Sequence, residues 1–282
     1  SFADGETSKV VTVPINDDTQ LEGHEIINIS LSNPTNGAVV GERSTAVIKL
    51  IDDDTNLKFN LTPEVDLSNQ VLAAFAEAAN YWTSIISNTA DVNITVGFRD
   101  LGAGVLAQNT AERSNFTYTD VYNALVTNRT SEDDFTSSDN LQDGSDFPLL
   151  LNRTSNNPAG SSSITPYLDN DGDANNTTIR VNRANAKGLG LIEADDSSQD
   201  ALLILNSNSN FTWDFDPSDG ISTGAYDFVG LVAHEIGHTL GFDSGVDVLD
   251  TNSPTTDDAY TYVTPMDLFR FSADKLLRSL IV

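Results

Sequence analysis

Two histidines four residues apart, His234 and His238, enclose a glutamate, Glu235, in the stretch Ala-His-Glu-Ile-Gly-His-Thr-Leu-Gly-Phe. On a helix, residues four apart lie on one face, one turn above the other. The two imidazoles then converge on one point, as zinc requires of two of its ligands. Glu235 stands about 100° around the helix from His234. That is too far round for an equal ligand, but within reach of a water held by the metal. A carboxylate in that place suits a general base. The chain has only 3 histidines, and two of them fall in this pattern, so chance is a weak explanation.

Such chemistry needs a helix with a buried back. Phe228, Val232, Ile236 and Leu240 repeat at helical spacing, and Val229 and Ala233 widen the stripe. Gly241 follows as a C′ residue able to take the left-handed conformation that ends helices.

The chain of 282 residues is long enough for two domains. Its 14 Lys and Arg face 42 Asp and Glu, a net charge of −28. That argues against nucleic acid or an anionic membrane as partners. It also favours bound cations, Ca²⁺ first, wherever carboxylates cluster. Cysteine is absent, so there is no disulfide framework and no thiol chemistry. No run of eighteen apolar residues spells a membrane span. Ser1 has no methionine before it, and a fragment of a longer protein is expected.

Residues 1–55 read as antiparallel β. Strands are expected at Ser8–Ile15, Glu25–Leu31 and Ser44–Ile51, with turns at Asn16–Asp18 and Asn33–Gly37. Asp17, Asp18, Glu22 and Glu25 gather at one loop, and Asp52, Asp53 and Asp54 close the last strand. Brought to one rim, these carboxylates would suit Ca²⁺; the plainer reading is solvated turn acids. The order Val11-x-Val13-x-Ile15-x-Asp17-Asp18, then Ile29-x-Leu31-Ser32-Asn33-Pro34, then Ile48-x-Leu50-Ile51-Asp52-Asp53-Asp54 resembles the second half of a Calx-beta domain. That resemblance implies a partial β-sandwich with calcium at those acidic positions. His24 is read as structural or exposed.

Residues 56–63 read as a linker. A helix is expected over 66–87, capped by Asp66 or Ser68, with Val71, Leu72, Phe75, Ala78, Ala79, Trp82, Ile85 and Ile86 inward. A strand at Val92–Phe98 and a helix at 119–128 follow. Residues 130–146 show no period and read as a surface loop. Short strands are expected at Phe147–Leu151, around Ile179 and Val181, and at Ala201–Leu205; residues 206–224 read as a long loop. Asp169-Asn170-Asp171-Gly172-Asp173 is similar to the start of a calcium loop but has Arg180 where the closing Glu belongs. An ordinary turn explains it at least as well.

The order helix, strands and then His-Glu-x-x-His helix resembles zincin metallopeptidases. Gly241, three residues after His238, moves the likeness toward the metzincins. The string His-Glu-Ile-Gly-His-x-Leu-Gly-Phe-x-Ser-Gly-Val-Asp at 234–247 resembles a group of large secreted bacterial metalloproteases. The resemblance implies an α+β zincin-like catalytic domain over 56–282, with a mixed sheet, a long N-terminal helix and an active-site helix, preceded by the all-β partial sandwich. It implies Zn²⁺, a protein or peptide substrate and an extracellular location. One departure stands out. The metzincin third-ligand position falls on Ser244, a poor zinc ligand. A ligand beyond Val282, as in leishmanolysin-like zincins, Asp247 or Asp243 would repair it, in that order. Met266 is the only methionine, yet a loop or core residue is the stronger reading than a turn beneath the metal. Tyr260 and Tyr262 are candidate oxyanion donors, though packing explains them better. Residues 273–282 read as a helix.

The function expected is a zinc-dependent endopeptidase with His234 and His238 on the metal and Glu235 as base. The alternative is a calcium-stabilised extracellular binding or adhesion protein with an inactive protease-like domain. A metal-dependent hydrolase of another substrate is the third reading.

Overall fold

A computed structural model describes residues 6–15, 25–41, 44–50, 57–245 and 255–270. Strand β1 (Glu25–Ser30) pairs antiparallel with β2 (Thr45–Leu50), setting Ile27 opposite Ile48. The strand expected at Ser8–Ile15 is absent. Among the described residues its alternation meets no neighbouring strand, and Val10 and Val11 are 90% and 81% exposed, so the stretch buries no apolar face that would hold a strand. Among the described residues, this ribbon has no second sheet facing it, and Val47 and Ile48 lie at the surface.

The chain then alternates short elements. Strand β3 (Leu57–Pro63) leads into α1 (Asn69–Thr83) and β4 (Ala90–Arg99), followed by β5 (Ala107–Ala111) and β6 (Arg113–Thr117). Helices α2 (Tyr118–Thr127) and α3 (Glu132–Asp139) precede β7 (Leu149–Leu151) and β8 (Tyr167–Asp169). After them come α4 (Ala174–Thr177), β9 (Thr178–Asn182), α5 (Arg183–Gly188) and β10 (Ala201–Asn206). Two-residue strands β11 (Trp213–Asp214) and β12 (Tyr226–Asp227) introduce α6 (Phe228–Thr239). The protein is thus mixed α/β. Its main sheet is itself mixed, in the order β3-β4-β10-β5, with β5 antiparallel at one edge.

Several sequence expectations need correction. The supposed linker 56–63 contains β3, which pairs parallel with β4, Phe59 opposite Val92. The first long helix runs over 69–83 rather than 66–87 and is capped by Ser68, whose Oγ accepts from the Val71 N–H at 3.3 Å. Ile85 lies past its end and is 56% exposed, so it is not a core residue. Residues 130–146 are not all loop. Ser131 and Asp134 form a reciprocal capping box that starts α3 without an apolar stripe. The strand expected at Phe147–Leu151 begins at Leu149, although Phe147 is buried beside it. The long loop 206–224 carries β11, and its Trp213 and Phe215 pack on the core.

Two apolar clusters form. In the first, α1 and α6 cover the sheet and bury Phe75, Ala78, Val92, Ile94, Val96, Leu203, Phe228, Val232 and Ile236. Phe228 sits at its centre, 5.3 Å from Phe75, 5.6 Å from Phe98, 5.5 Å from Trp213 and 4.6 Å from Phe215 between ring centroids. Complete burial of such a ring stabilises by roughly 1.5–3 kcal/mol. The second cluster joins Tyr118, Val121, Phe147, Leu149, Leu151, Ile179, Val181, Tyr260 and Leu268. Buried Lys187 ties α5 to the sheet. Its Nζ donates to Asp91 O at 2.7 Å, Asp196 O at 2.8 Å and Asp200 Oδ2 at 2.6 Å, which uses all three ammonium protons.

Candidate metal centre

Helix α6 begins where Asp227 caps it, its Oδ1 accepting from the Gly230 N–H at 2.8 Å. Phe228, Val229, Val232 and Ile236 face the first core, as the spacing predicts. The opposite side carries His234, exposed, with Glu235 and His238 half-buried. The helix is fixed from three sides by hydrogen bonds to its carbonyl groups. Trp82 Nε1 donates to Ala233 O at 2.8 Å, Asn182 Nδ2 donates to His238 O at 2.6 Å, and Asn109 Nδ2 donates to Glu235 O. A side chain at Gly237 would meet Trp82 Cζ2 at 3.1 Å, so the glycine lets the indole lie close to the helix.

The end of α6 sets one ligand. Gly241 has φ +102°, its N–H donates to His238 O at 3.2 Å, and the Phe242 N–H donates to Gly237 O at 3.0 Å. This is the Schellman pattern expected of a C′ glycine. It swings the Phe242 carbonyl back under the last turn, 2.8 Å from His238 Nδ1. Nδ1 therefore carries the proton, and Nε2 keeps its lone pair for a metal. The Phe242 ring packs on Trp82 with centroids 5.3 Å apart.

His238 Nε2 lies 3.0 Å from His234 Nε2. Two zinc–nitrogen bonds of about 2.0–2.1 Å at a tetrahedral angle place their nitrogens about 3.3 Å apart. The pair therefore fits a zinc ion as two of its ligands. Burial raises the pKa of the Glu235 carboxyl, while the two imidazoles beside it pull it back. A carboxyl shifted upward in this way is better suited to taking and returning a proton near neutral pH.

The remaining expected ligands are placed differently. Asp243 Oδ2 accepts from Arg113 Nη2 at 2.5 Å and lies 3.5 Å from Asn182 Nδ2, so that oxygen is turned to a guanidinium. Ser244 Oγ donates to Asp267 Oδ1 at 2.6 Å. Asp247 lies outside the described residues. Among the described residues no carboxylate or third histidine joins His234 and His238 in a three-ligand group. Of the calcium candidates, Asp17, Asp18, Glu22, Asp52, Asp53 and Asp54 lie outside the described residues, as does His24; Glu25 opens β1. Residues 273–282 also lie outside them.

Tyr260 is buried, and its hydroxyl donates to Gly245 O at 2.6 Å; Tyr262 stacks on Arg180, whose Cζ is 4.9 Å from the ring centre. Both are structural here, as packing suggested. Met266 is 39% exposed on a short 3₁₀ turn, Pro265–Phe269, and is not a core residue.

Sequence reasoning missed Asn109, Arg113 and Asn182. Asn109 and Arg113 stand on strands that show little apolar pattern, Asn182 ends a strand marked only by Ile179 and Val181, and their amide and guanidinium groups carried no recognisable motif. It also missed the partner of Asp171 and Asp173. Asp258, far along the chain, brings a carboxylate oxygen within 4.8 Å of theirs. A cleft of about 580 Å³ opens beside His234, lined by Glu77, Tyr81, Trp82, Asp227, Val229 and Ala233.

No described helix is long and apolar enough to cross a membrane. Comparison with known proteins adds no relative: no family model matches the chain, and neither a curated protein nor a solved structure does.

Proposed function

We propose that the chain is a zinc-dependent peptidase of zincin type, and that α6 is its active-site helix. The observation that carries this reading is the convergence of His234 Nε2 and His238 Nε2 at 3.0 Å, with a half-buried glutamate between them in sequence. Bound zinc supplies Lewis acidity, which polarises a carbonyl and makes a water more acidic. His234 and His238 hold the ion, and the Phe242 carbonyl keeps His238 in the ligating tautomer. Glu235 accepts the proton of the attacking water and returns it to the leaving amine. The third protein ligand comes from outside the described residues, with Asp247 the nearest candidate in sequence.

Strand β5 supports a peptide rather than a small substrate. It is an edge strand of the main sheet, and its Asn109 reaches α6 itself. Unpaired backbone groups along such an edge suit an extended chain added as a further strand. The rival reading, a binding protein with an inactive site, draws on the two-ligand set seen among the described residues. Glu235 weighs against it, since holding a metal alone needs no base.

Casein hydrolysis by the purified chain, compared with Glu235→Ala at equal zinc content, decides between them. The peptidase reading expects a fall of about 10²–10⁴-fold. Equal hydrolysis by both proteins would remove Glu235 from the mechanism.

A further inference from the structure

The Asp-Asn-Asp-Gly-Asp loop after β8 has no part in the chemistry above, yet it is not a plain turn. Asp171, Asp173 and Asp258 each offer one carboxylate oxygen, all within 4.8 Å of one another. Calcium binds oxygens at about 2.3–2.6 Å, so two of its ligands stand no more than about 5 Å apart. None of the salt bridges among the described residues reaches these three acids.

Carboxylates alone can sit on a surface without an ion. Asn175 is the separate observation. It is 1% exposed, and its Nδ2 donates to Asp169 Oδ2 at 2.7 Å and to Asp257 O at 2.8 Å. Its backbone N–H donates to Asp173 Oδ1 at 3.1 Å. The side chain is thereby pinned between the residue that starts the loop, Asp169, and the 3₁₀ turn that carries Asp258. Its Oδ1 is buried there with no hydrogen-bond partner. A buried acceptor in that state calls for an ion or a water.

We propose that Asp171, Asp173, Asp258 and Asn175 Oδ1 form a calcium site. It clamps the loop after β8 to the 3₁₀ turn at Asp257–Ala259. An all-oxygen set of three carboxylates and one amide suits a hard cation, and irregular loop geometry favours calcium over magnesium. Asp257 is not a ligand, because its carboxylate accepts from Asn156 Nδ2, from Tyr167 Oη at 2.8 Å and from the Asp258 N–H at 3.1 Å.

The clamp has a consequence beyond its own loop. Just after the 3₁₀ turn, Tyr260 holds Gly245 O at 2.6 Å, Asp267 Oδ2 accepts from the Gly245 N–H at 2.8 Å, and Thr264 Oγ1 donates to Asp243 O at 2.9 Å. The ion therefore steadies the segment that grips the chain as it leaves α6.

The test is equilibrium dialysis of the full chain against Ca²⁺ in chelator-treated buffer, for wild type, Asp171→Asn and Asp258→Asn. Asp171 and Asp258 are exposed, so both substitutions spare the core. Each variant should lose one calcium equivalent or bind it at least about tenfold more weakly. The rise in Tm caused by Ca²⁺ should shrink with it. Acidic residues elsewhere contribute equally to all three proteins and cancel in the difference. Unchanged stoichiometry and affinity in both variants would overturn the site. Protection by Mg²⁺ equal to that by Ca²⁺ would overturn calcium as its ion.

Discussion

His234 and His238 ride on a helix of 12 residues whose back is wedged among aromatic rings, while Asp171, Asp173 and Asp258 stand on turns tied together by carboxamides. The helix of the first pair can be built before any metal arrives. Apolar burial, three side chains bound to carbonyl groups and a Schellman turn fix the imidazoles without help from the ion. The acidic group is the reverse. Its members repel one another, its buried amide oxygen lacks a partner, and only a cation removes both costs. The two regions therefore teach different lessons about metal and fold. The histidine site should survive metal removal as a shape, and the acidic site should loosen.

Breaking the first region takes a core substitution. Phe228→Ala removes the ring at the centre of the aromatic cluster and should destabilise by about 3–5 kcal/mol, read as a loss in chemical denaturation. Calcium should not rescue it. In the second region, Asn175→Ala removes the donor to Asp169 Oδ2 and to Asp257 O. A loss of about 1–3 kcal/mol is expected by the same measurement. With that side chain gone, the protection given by calcium should also fall. A smaller effect tests the helix end. Gly241→Ala places a side chain at φ +102°, which should cost about 1 kcal/mol or more. It should also weaken zinc binding, because the turn aims the Phe242 carbonyl at His238.

A further effect is a pH dependence confined to the acidic region. Burial raises Asp169 to about 6 in the fold. Its charged form therefore opposes folding above that pH, and the opposition fades as pH falls through about 6 toward the ordinary value near 3.8. Asp169→Asn, which mimics the neutral acid, should be more stable than wild type at pH 7.5 without calcium. The advantage should vanish by about pH 4, as followed by Tm across pH.

The two regions also differed in how much the sequence disclosed. Helix α6 was legible because a stripe of Phe228, Val232 and Ile236, a motif and a terminal glycine all fall within a few residues. Helix α1 and strands β4, β9 and β10 were legible for the same local reason. Strand β3 was misread despite Leu57, Phe59 and Leu61 alternating, because its position between two suspected domains suggested a linker. Strand β5 carries Ala-Gln-Asn-Thr-Ala and pairs through backbone alone, so no side-chain pattern marks it. Helix α3 has a single large apolar residue, Phe135, and only its capping box signals it. In the acidic region the loop 169–173 was visible, but Asp258 joins it by a tertiary contact that no local pattern encodes.

The most direct test of α6 as a catalytic zinc helix is the zinc content of purified chains after dialysis, measured for wild type, Glu235→Ala and His238→Ala beside casein hydrolysis. If α6 is a catalytic zinc helix, zinc is retained in wild type and Glu235→Ala, hydrolysis is seen in wild type alone, and His238→Ala shows neither. Zinc bound equally by His238→Ala, or casein cleaved equally by Glu235→Ala, would contradict it.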